Sequence, residues 1–271
     1  MKEYKFDVAE QTEKCIAWIR DFFNKNGNAS TRSVIGISGG KDSTIVAALL
    51  VKALGPSRVI GVMLPCGKQV DITDSKKVID ILGIDSYEIN IGSAYESLTE
   101  QMRVVSRNGE LFPNDSYSTN TPARLRMSTL YGVAALVGNA MVANTCNRSE
   151  DCEGYSTLFG DSAGSFAPIN HLTTEEVIAI GDYLGLPHEL THKTPADGMS
   201  VNDDGSLKSD EDKLGFTYEE VNRVIRLGDE TVPHFEEIVK KYKSSNFKLK
   251  LIQMEYYDPG LPDYFLEKYG I

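Results

Sequence analysis

Val34-Ile35-Gly36-Ile37-Ser38-Gly39-Gly40-Lys41-Asp42-Ser43 is the stretch whose reading decides the fold. An apolar run, Val34 to Ile37, breaks at two glycines and restarts as a helical run from Thr44 to Leu54. A buried strand that turns into a helix in this way points a fan of backbone amides outward. Helix N-termini carry unpartnered N–H groups and partial positive charge, so the turn is suited to an anion. Asp42 sharpens the reading, because a carboxylate beside a phosphate repels it unless a divalent cation lies between them. The stretch therefore points to a magnesium–nucleotide and not to an arbitrary anion.

Two better-known phosphate loops do not fit. The Walker loop needs Gly-x-x-x-x-Gly-Lys before Ser or Thr, and Gly36, Gly39 and Gly40 lack the spacing of the dinucleotide fingerprint. The bland alternative is a Gly-Gly turn capped by Ser and Asp.

Outward from this stretch the periodicity predicts an amphipathic helix over Phe6 to Asn26, with Ile16, Ile19, Phe22 and Phe23 on one stripe. Strands are predicted at Arg58 to Leu64 and Tyr87 to Ile91, and helices at Val70 to Leu82 and Ser93 to Ser106. Three β–α units at this spacing imply an α/β fold, a doubly wound parallel sheet with right-handed crossovers. Residues 107–120 read as a loop, after which Thr121 caps a long helix with Pro122 in its first turn, running to Val137. Ala140 to Asn144 is expected as a fourth strand. Thr173 and Glu176 form a capping box, and Tyr218 to Leu227 and Val232 to Tyr242 read as further helices. The polar stretch 194–215 is expected to be a mobile loop over the ligand. The expected organisation is one domain: an N-terminal helix over 5–27, a nucleotide-binding core over 32–192, that loop, and a C-terminal helical segment over 217–271.

Composition narrows the class. The chain has 271 residues, 41% hydrophobic and 25% charged, enough for one sizeable core. A net charge of −11 counts against a broad basic face for nucleic acid. No run of ~18 apolar residues is present, so no membrane span is expected, and Met1 to Glu10 lacks a signal-peptide core. Cys15, Cys66, Cys146 and Cys152 show no ligand or disulfide spacing, which fits reduced thiols in the cytoplasm. His188 and His192 stand four apart but without the glutamate of a zinc-protease helix.

Ligands of doubly wound sheets bind beyond the carboxyl ends of the strands. Asn144-Thr145-Cys146-Asn147-Arg148-Ser149-Glu150 follows a predicted strand there and offers a hydroxyl, an amide, a cation and a carboxylate. Glu150 is the candidate second ligand for the cation that Asp42 requires, since Mg²⁺ commonly takes one or two carboxylates. Its alternative is a first-turn acid favoured by the helix dipole. Arg124, in the first turn of the predicted long helix, opposes that dipole, so an anion is expected to compensate it: a ligand or a neighbouring acid.

Together these motifs resemble one family. Gly36-Ile-Ser-Gly-Gly-Lys-Asp-Ser43 is similar to the pyrophosphatase loop of the N-type ATP pyrophosphatases. The Asn144–Glu150 stretch resembles the Gly-Thr-x-Asn-[Lys/Arg]-Ser-Glu segment of NAD synthetases. Thr121-Pro-Ala-Arg-Leu-Arg-Met127, Gly160-Asp161 and Ser209-Asp-Glu-Asp-Lys-Leu-Gly215 resemble further family segments in order. The resemblance spans about residues 10 to 250.

It implies amidation of deamido-NAD⁺ with ammonia, driven by ATP and giving NAD⁺, AMP and pyrophosphate through an acyl-adenylate. On this resemblance Gly36, Ile37, Ser38, Gly39, Gly40, Lys41, Asp42, Ser43 and Thr145 serve ATP. Asp42 and Glu150 hold Mg²⁺, Arg124 and Lys248 meet deamido-NAD⁺, and Asp161 lies near the ammonia. Lys41, Asp42, Glu150 and Asp161 form the implied catalytic set, and a homodimer is expected around the Pro122–Val137 helix. Leu158, Ser165 and Thr174 depart from the commoner family residues Lys, Asp and Lys, so no ligand role is carried onto them. About thirty-five residues before the loop are too few for a glutaminase domain, so free ammonia or a separate subunit is the expected donor. Two rivals stay open: a tRNA-modifying pyrophosphatase of the same superfamily, and a non-catalytic nucleotide-binding protein on this fold.

Overall fold

The neighbours Val34 and Ile35, which point to opposite faces of their strand, are both fully buried, which is possible only if helices cover both faces. The computed structural model describes residues 4–68, 72–105, 114–193, 210–251 and 254–269. Four strands make a parallel sheet: β1 (Arg32–Gly36), β2 (Val59–Met63), β3 (Asp85–Glu88) and β4 (Ala140–Val142). Their lateral order is β3-β2-β1-β4. Val34 pairs with Ile60 on one side and Val142 on the other. The chain thus winds outward from β1 through β2 and β3, then returns to place β4 on the opposite flank of β1.

Helices α1 (Val8–Asn26) and α2 (Lys41–Leu54) cover one face. There Ile19, Phe22, Ile35, Ile45, Leu49 and Phe166 pack in a single apolar cluster. α3 (Ile72–Leu82) follows β2 and lies beside α2. On the other face α4 (Gly92–Met102) packs beside α5 (Asp115–Val137), whose Met127, Leu130 and Val133 rest on Val34, Ile60 and Val62.

After β4 come α6 (Arg148–Glu153), a two-residue strand β5 (Phe166–Ala167), α7 (Thr174–Tyr183) and α8 (His188–Thr191). The remaining chain supplies α9 (Asp210–Leu214), α10 (Tyr218–Leu227), α11 (Phe235–Ser245), α12 (Phe247–Leu251), β6 (Glu255–Tyr256) and α13 (Tyr264–Tyr269). Cys152, Val221, Ile225, Ile238, Tyr242 and Phe265 form a third cluster that holds α6 against this C-terminal part.

Several expectations are corrected. The long helix does not begin at Thr121: it begins at Asp115, where the Asn114 side chain accepts from the Tyr117 N–H, and Pro122 lies inside it. The preference of proline for a first turn is a local tendency, and the asparagine cap upstream decides the start. Arg124 is therefore well past the first turn, and the argument that it opposes the helix dipole fails. The third strand is Asp85–Glu88 and not Tyr87 to Ile91; beyond it the Ile89 and Ile91 N–H groups still bond Met63 and Pro65 carbonyls, without ladder geometry. Part of the expected 194–215 loop is helical, at Asp210–Leu214, while residues 194–209 lie outside the described residues. The helix expected from Val232 starts at Phe235, because Val232 and Pro233 form the turn before it. Thr173 and Glu176 do form the capping box of α7.

Candidate active site

At the carboxyl end of β1 the chain turns through Ser38, Gly39 and Gly40 into α2. Gly40 is the N-cap and brings no capping side chain. The loop is stiffened by its own hydroxyls. Ser38 Oγ accepts from the Gly40 N–H at 3.2 Å and lies 3.0 Å from Ser43 Oγ, while Thr44 Oγ1 donates to the Gly40 carbonyl at 2.7 Å. Gly39 has φ +80°, and a Cβ there would lie 2.8 Å from the Ser75 backbone N of α3. Only glycine fits this backbone and this approach.

β4 flanks β1, so the loops that follow these two strands are neighbours at the point where the winding reverses. Asp42 and Glu150, 108 positions apart by number, meet there around Lys41. The Lys41 ammonium lies 2.7 Å from Asp42 Oδ2 and 3.8 Å from Glu150 Oε1. Burial and the neighbouring Asp42 charge push the Glu150 carboxyl well above its ordinary range, against the pull of Lys41. Two acids forced together in a poorly solvated spot demand a cation, and here Lys41 stands in for one. Among the described residues no group of three or more His, Cys, Asp or Glu side chains is arranged for a metal. A hard divalent ion that takes phosphate oxygens and water for the rest of its shell needs only one or two carboxylates. The donor set fits Mg²⁺ carried in with a nucleotide.

The remaining candidates divide into two groups. Ser38, Gly39, Gly40, Ser43, Gly36 at the end of β1 and Ile37 just after it line the turn itself, and Thr145 stands in the adjacent loop between β4 and α6, half-buried. Arg124, Lys248 and Asp161 gather elsewhere, around the 154–161 turn. Arg124 Nε donates to the Leu158 carbonyl at 3.1 Å. Lys248 Nζ donates to the Gly154 and Ser156 carbonyls, each at 2.9 Å. Asp161 Oδ1 accepts from the Thr157 N–H at 2.9 Å. Asn144 ties the two groups together: its Nδ2 donates to the Asp161 carbonyl and its Oδ1 accepts from the Cys146 N–H.

The departing positions have work of their own. Ser165 Oγ accepts from the Val142 N–H at the end of β4, and the Thr174 N–H donates to Ser149 Oγ. One residue is given no role of its own by the sequence. Asn147 is fully buried and caps α6 in a reciprocal box with Glu150. The Asn-x-x-Glu spacing before a helix was the available signal.

A parallel sheet with a glycine turn at its winding reversal, opposed acids and a lysine between them defines an α/β nucleotide-binding protein of the phosphate-holding kind. The chain belongs to the NAD synthase family, whose model matches residues 11–257. It is 34% identical over 239 residues to the NH(3)-dependent NAD(+) synthetase of Alkaliphilus metalliredigens, covering 87% of this chain and 93% of the relative. It is 36% identical to the enzyme of that name from Pyrococcus horikoshii, covering 79% and 77%. Among solved structures it resembles the NMN synthetase from Francisella tularensis, with TM-score 0.78, 31% identity and coverage of 90% and 96%. It also resembles the NH3-dependent NAD synthetase from Campylobacter jejuni, with TM-score 0.71, 27% identity and coverage of 92% and 99%.

Proposed function

We infer that this chain is a C–N bond-forming ligase that amidates deamido-NAD⁺ with ammonia, consuming ATP and releasing NAD⁺, AMP and pyrophosphate. The observation that carries the reading is the convergence of Asp42 and Glu150 on Lys41 beside the Ser38–Gly40 turn, in a member of the NAD synthase family.

The chemistry follows from the substrate. A carboxylate is a poor electrophile because its charge repels nucleophiles. Attack of the nicotinate carboxylate oxygen on the α-phosphorus forms an acyl-adenylate and breaks the bond to pyrophosphate. Ammonia then adds to the acyl carbon, AMP leaves, and one proton is lost. The turn amides, Ser38 and Ser43 cradle the departing pyrophosphate, and Lys41 turns from Asp42 to the phosphates when nucleotide arrives. Thr145 contacts ATP from the neighbouring loop. Asp42 and Glu150 would hold Mg²⁺, which neutralises charge on the phosphate oxygens when bound. Arg124 and Lys248 meet the dinucleotide phosphates at the 154–161 turn, with Asp161 placed to receive the proton of the incoming ammonia.

The same reading places the protein in the cytoplasm as a homodimer. All four cysteines are free thiols, and no described helix is long and apolar enough to cross a membrane. A net charge of −11 counts against a nucleic-acid partner. On α5 the exposed residues Arg124, Ser128, Tyr131, Gly132, Ala135 and Leu136 share one stripe. Leu136 is 90% exposed, and a side chain at Gly132 would meet nothing within 4 Å among the described residues. Tyr131, Gly132, Ala135 and Leu136 make the C-terminal half of this stripe apolar and open, which supports a second copy packing there, with Arg124 at the other end.

The test is product analysis by mass spectrometry after mixing the protein with ATP, Mg²⁺, ammonium and deamido-NAD⁺. NAD⁺, AMP and pyrophosphate should appear in equal amounts. ADP formation, or no ammonia-dependent product, would refute the reading. A parallel arm with the corresponding mononucleotide acid addresses the likeness to the Francisella NMN synthetase; faster turnover there would move the substrate to the mononucleotide.

A further inference from the structure

Asp42 and Glu150 are held by a common residue. Asn147 is 0% exposed. Its Oδ1 accepts from the Ser149 N–H at 3.0 Å and the Glu150 N–H at 3.1 Å, with Thr174 Oγ1 at 3.4 Å. Two backbone donors on one side of the amide fix its orientation, since only the oxygen can accept them. Nδ2 must then face the other way, where it donates to Asp42 Oδ1 at 3.0 Å. The Asn147 backbone N–H donates to Glu150 Oε2 at 3.3 Å. Each acid therefore has one oxygen fixed by Asn147 and its other oxygen turned to the Lys41 ammonium.

We propose that Asn147 is a positioning residue for the divalent cation, setting both carboxylates so that one oxygen of each faces a single ion. The inference rests on the two-acid reading given above. A carboxylate fixed in advance loses less rotational freedom when it takes up a cation, and partners of this kind support affinity without touching the ion. Asn147 is itself braced from two other elements. The Thr174 N–H of α7 donates to Ser149 Oγ, and Ser149 Oγ donates to Asn222 Oδ1 of α10 at 2.6 Å. Thr174 thus has a task in this chain, as one of the donors that hold the asparagine.

The residue type is demanding. Serine would still accept the cap bonds but would not reach Asp42. Aspartate would also accept them but would turn a carboxylate oxygen toward Asp42 Oδ1, leaving a repulsion that a cation relieves. Glutamine is one carbon too long for both tasks.

The experiment uses Mn²⁺ as the probe on the full chain with ATP, read by electron paramagnetic resonance against an Mn²⁺–ATP blank. Thermal melting with and without Mn²⁺ is recorded in parallel. Asn147→Ser should melt near the wild type without metal and bind Mn²⁺ about tenfold to a hundredfold more weakly. Raising Mg²⁺ should recover much of its kcat. Asn147→Asp should melt lower without metal, and Mn²⁺ should raise its melting temperature by more than it raises that of the wild type. Unchanged Mn²⁺ affinity in Asn147→Ser, with an Mn²⁺ response in Asn147→Asp equal to the wild type, overturns the role of Asn147 and leaves the two-acid reading standing. If Asn147→Ser does not fold, the Mn²⁺ response of Asn147→Asp decides. No Mn²⁺ binding by the wild type with ATP overturns both readings together.

Discussion

The guanidinium of Arg148 and the carboxylate of Asp263 meet at 2.6 Å in the interior, two residues along the chain from Glu150. Asp263 also accepts from the Phe265 and Leu266 N–H groups, so it starts α13 while gripping α6. Burial alone would lower the Arg148 pKa, but Asp263 more than reverses this, and the pair stays ionised. Breaking such a pair from one side strands a buried charge. Asp263→Asn should destabilise the protein by about 3 kcal/mol, measured by urea unfolding. A loss below about 1 kcal/mol would show that the pair contributes little.

Asp42→Asn removes a charge from the proposed cation site while keeping the Asn147 bond geometry available. AMP formation should fall about a hundredfold or more, with the unfolding midpoint nearly unchanged. Near-normal turnover would remove Asp42 from the mechanism.

Gly39→Ala tests the turn itself. The left-handed backbone costs about 1–2 kcal/mol for any residue with a Cβ, and the added carbon would press on the Ser75 N at 2.8 Å. The loop must shift, so KM for ATP should rise several-fold along with the loss of stability. Unaltered nucleotide kinetics would mean that the turn does not touch the phosphates.

Part of this could be read from the sequence. The β1–turn–α2 unit was legible because an apolar run, two glycines and a helical run each carry a local signal. Helix α10 matches residue for residue, since Thr217 and Gly228 mark its ends. The start of α5 was not, because Pro122 gave a strong local cue while the cap at Asn114 is one polar residue among many. The meeting of Asp42 and Glu150 required the sheet order, and a doubly wound sheet supplies it in outline. Arg148 and Asp263, far apart in the chain, have no pattern that links them. Asn147 was hidden for a different reason: it was read as one polar group in a loop, and its two acidic partners come from different elements.

Glu153 sets a pH dependence. Among the described residues neither of its oxygens has a hydrogen-bond partner, and burial pushes its carboxyl from an ordinary 4.5 to about 8, with Lys241 only partly opposing. Between those values the folded chain holds a proton that the unfolded chain has released. Stability from this residue is therefore lost as pH rises from about 4.5, until the group ionises in place near 8. Glu153→Gln removes the slope. Relative to its offset at pH 4, it should gain about 5 kcal/mol over the wild type by pH 9, read from denaturant unfolding across that range. Parallel curves would contradict the assignment.

Leu136→Asp tests the α5 stripe. A charge on a residue 90% exposed in the single chain costs the monomer little, but it would be buried in a dimer built on that face. Light scattering after size exclusion should show a dimer for the wild type and a monomer for the variant. A variant that stays dimeric places the contact elsewhere.

Lys41 gives the resting protein its own counter-ion. Its single positive charge between the two acids offsets part of their repulsion from within the chain, so the resting cluster leans less on ions from the surrounding medium. A chelator should then silence turnover while leaving the fold intact, and metal scarcity would idle this protein without marking it for destruction.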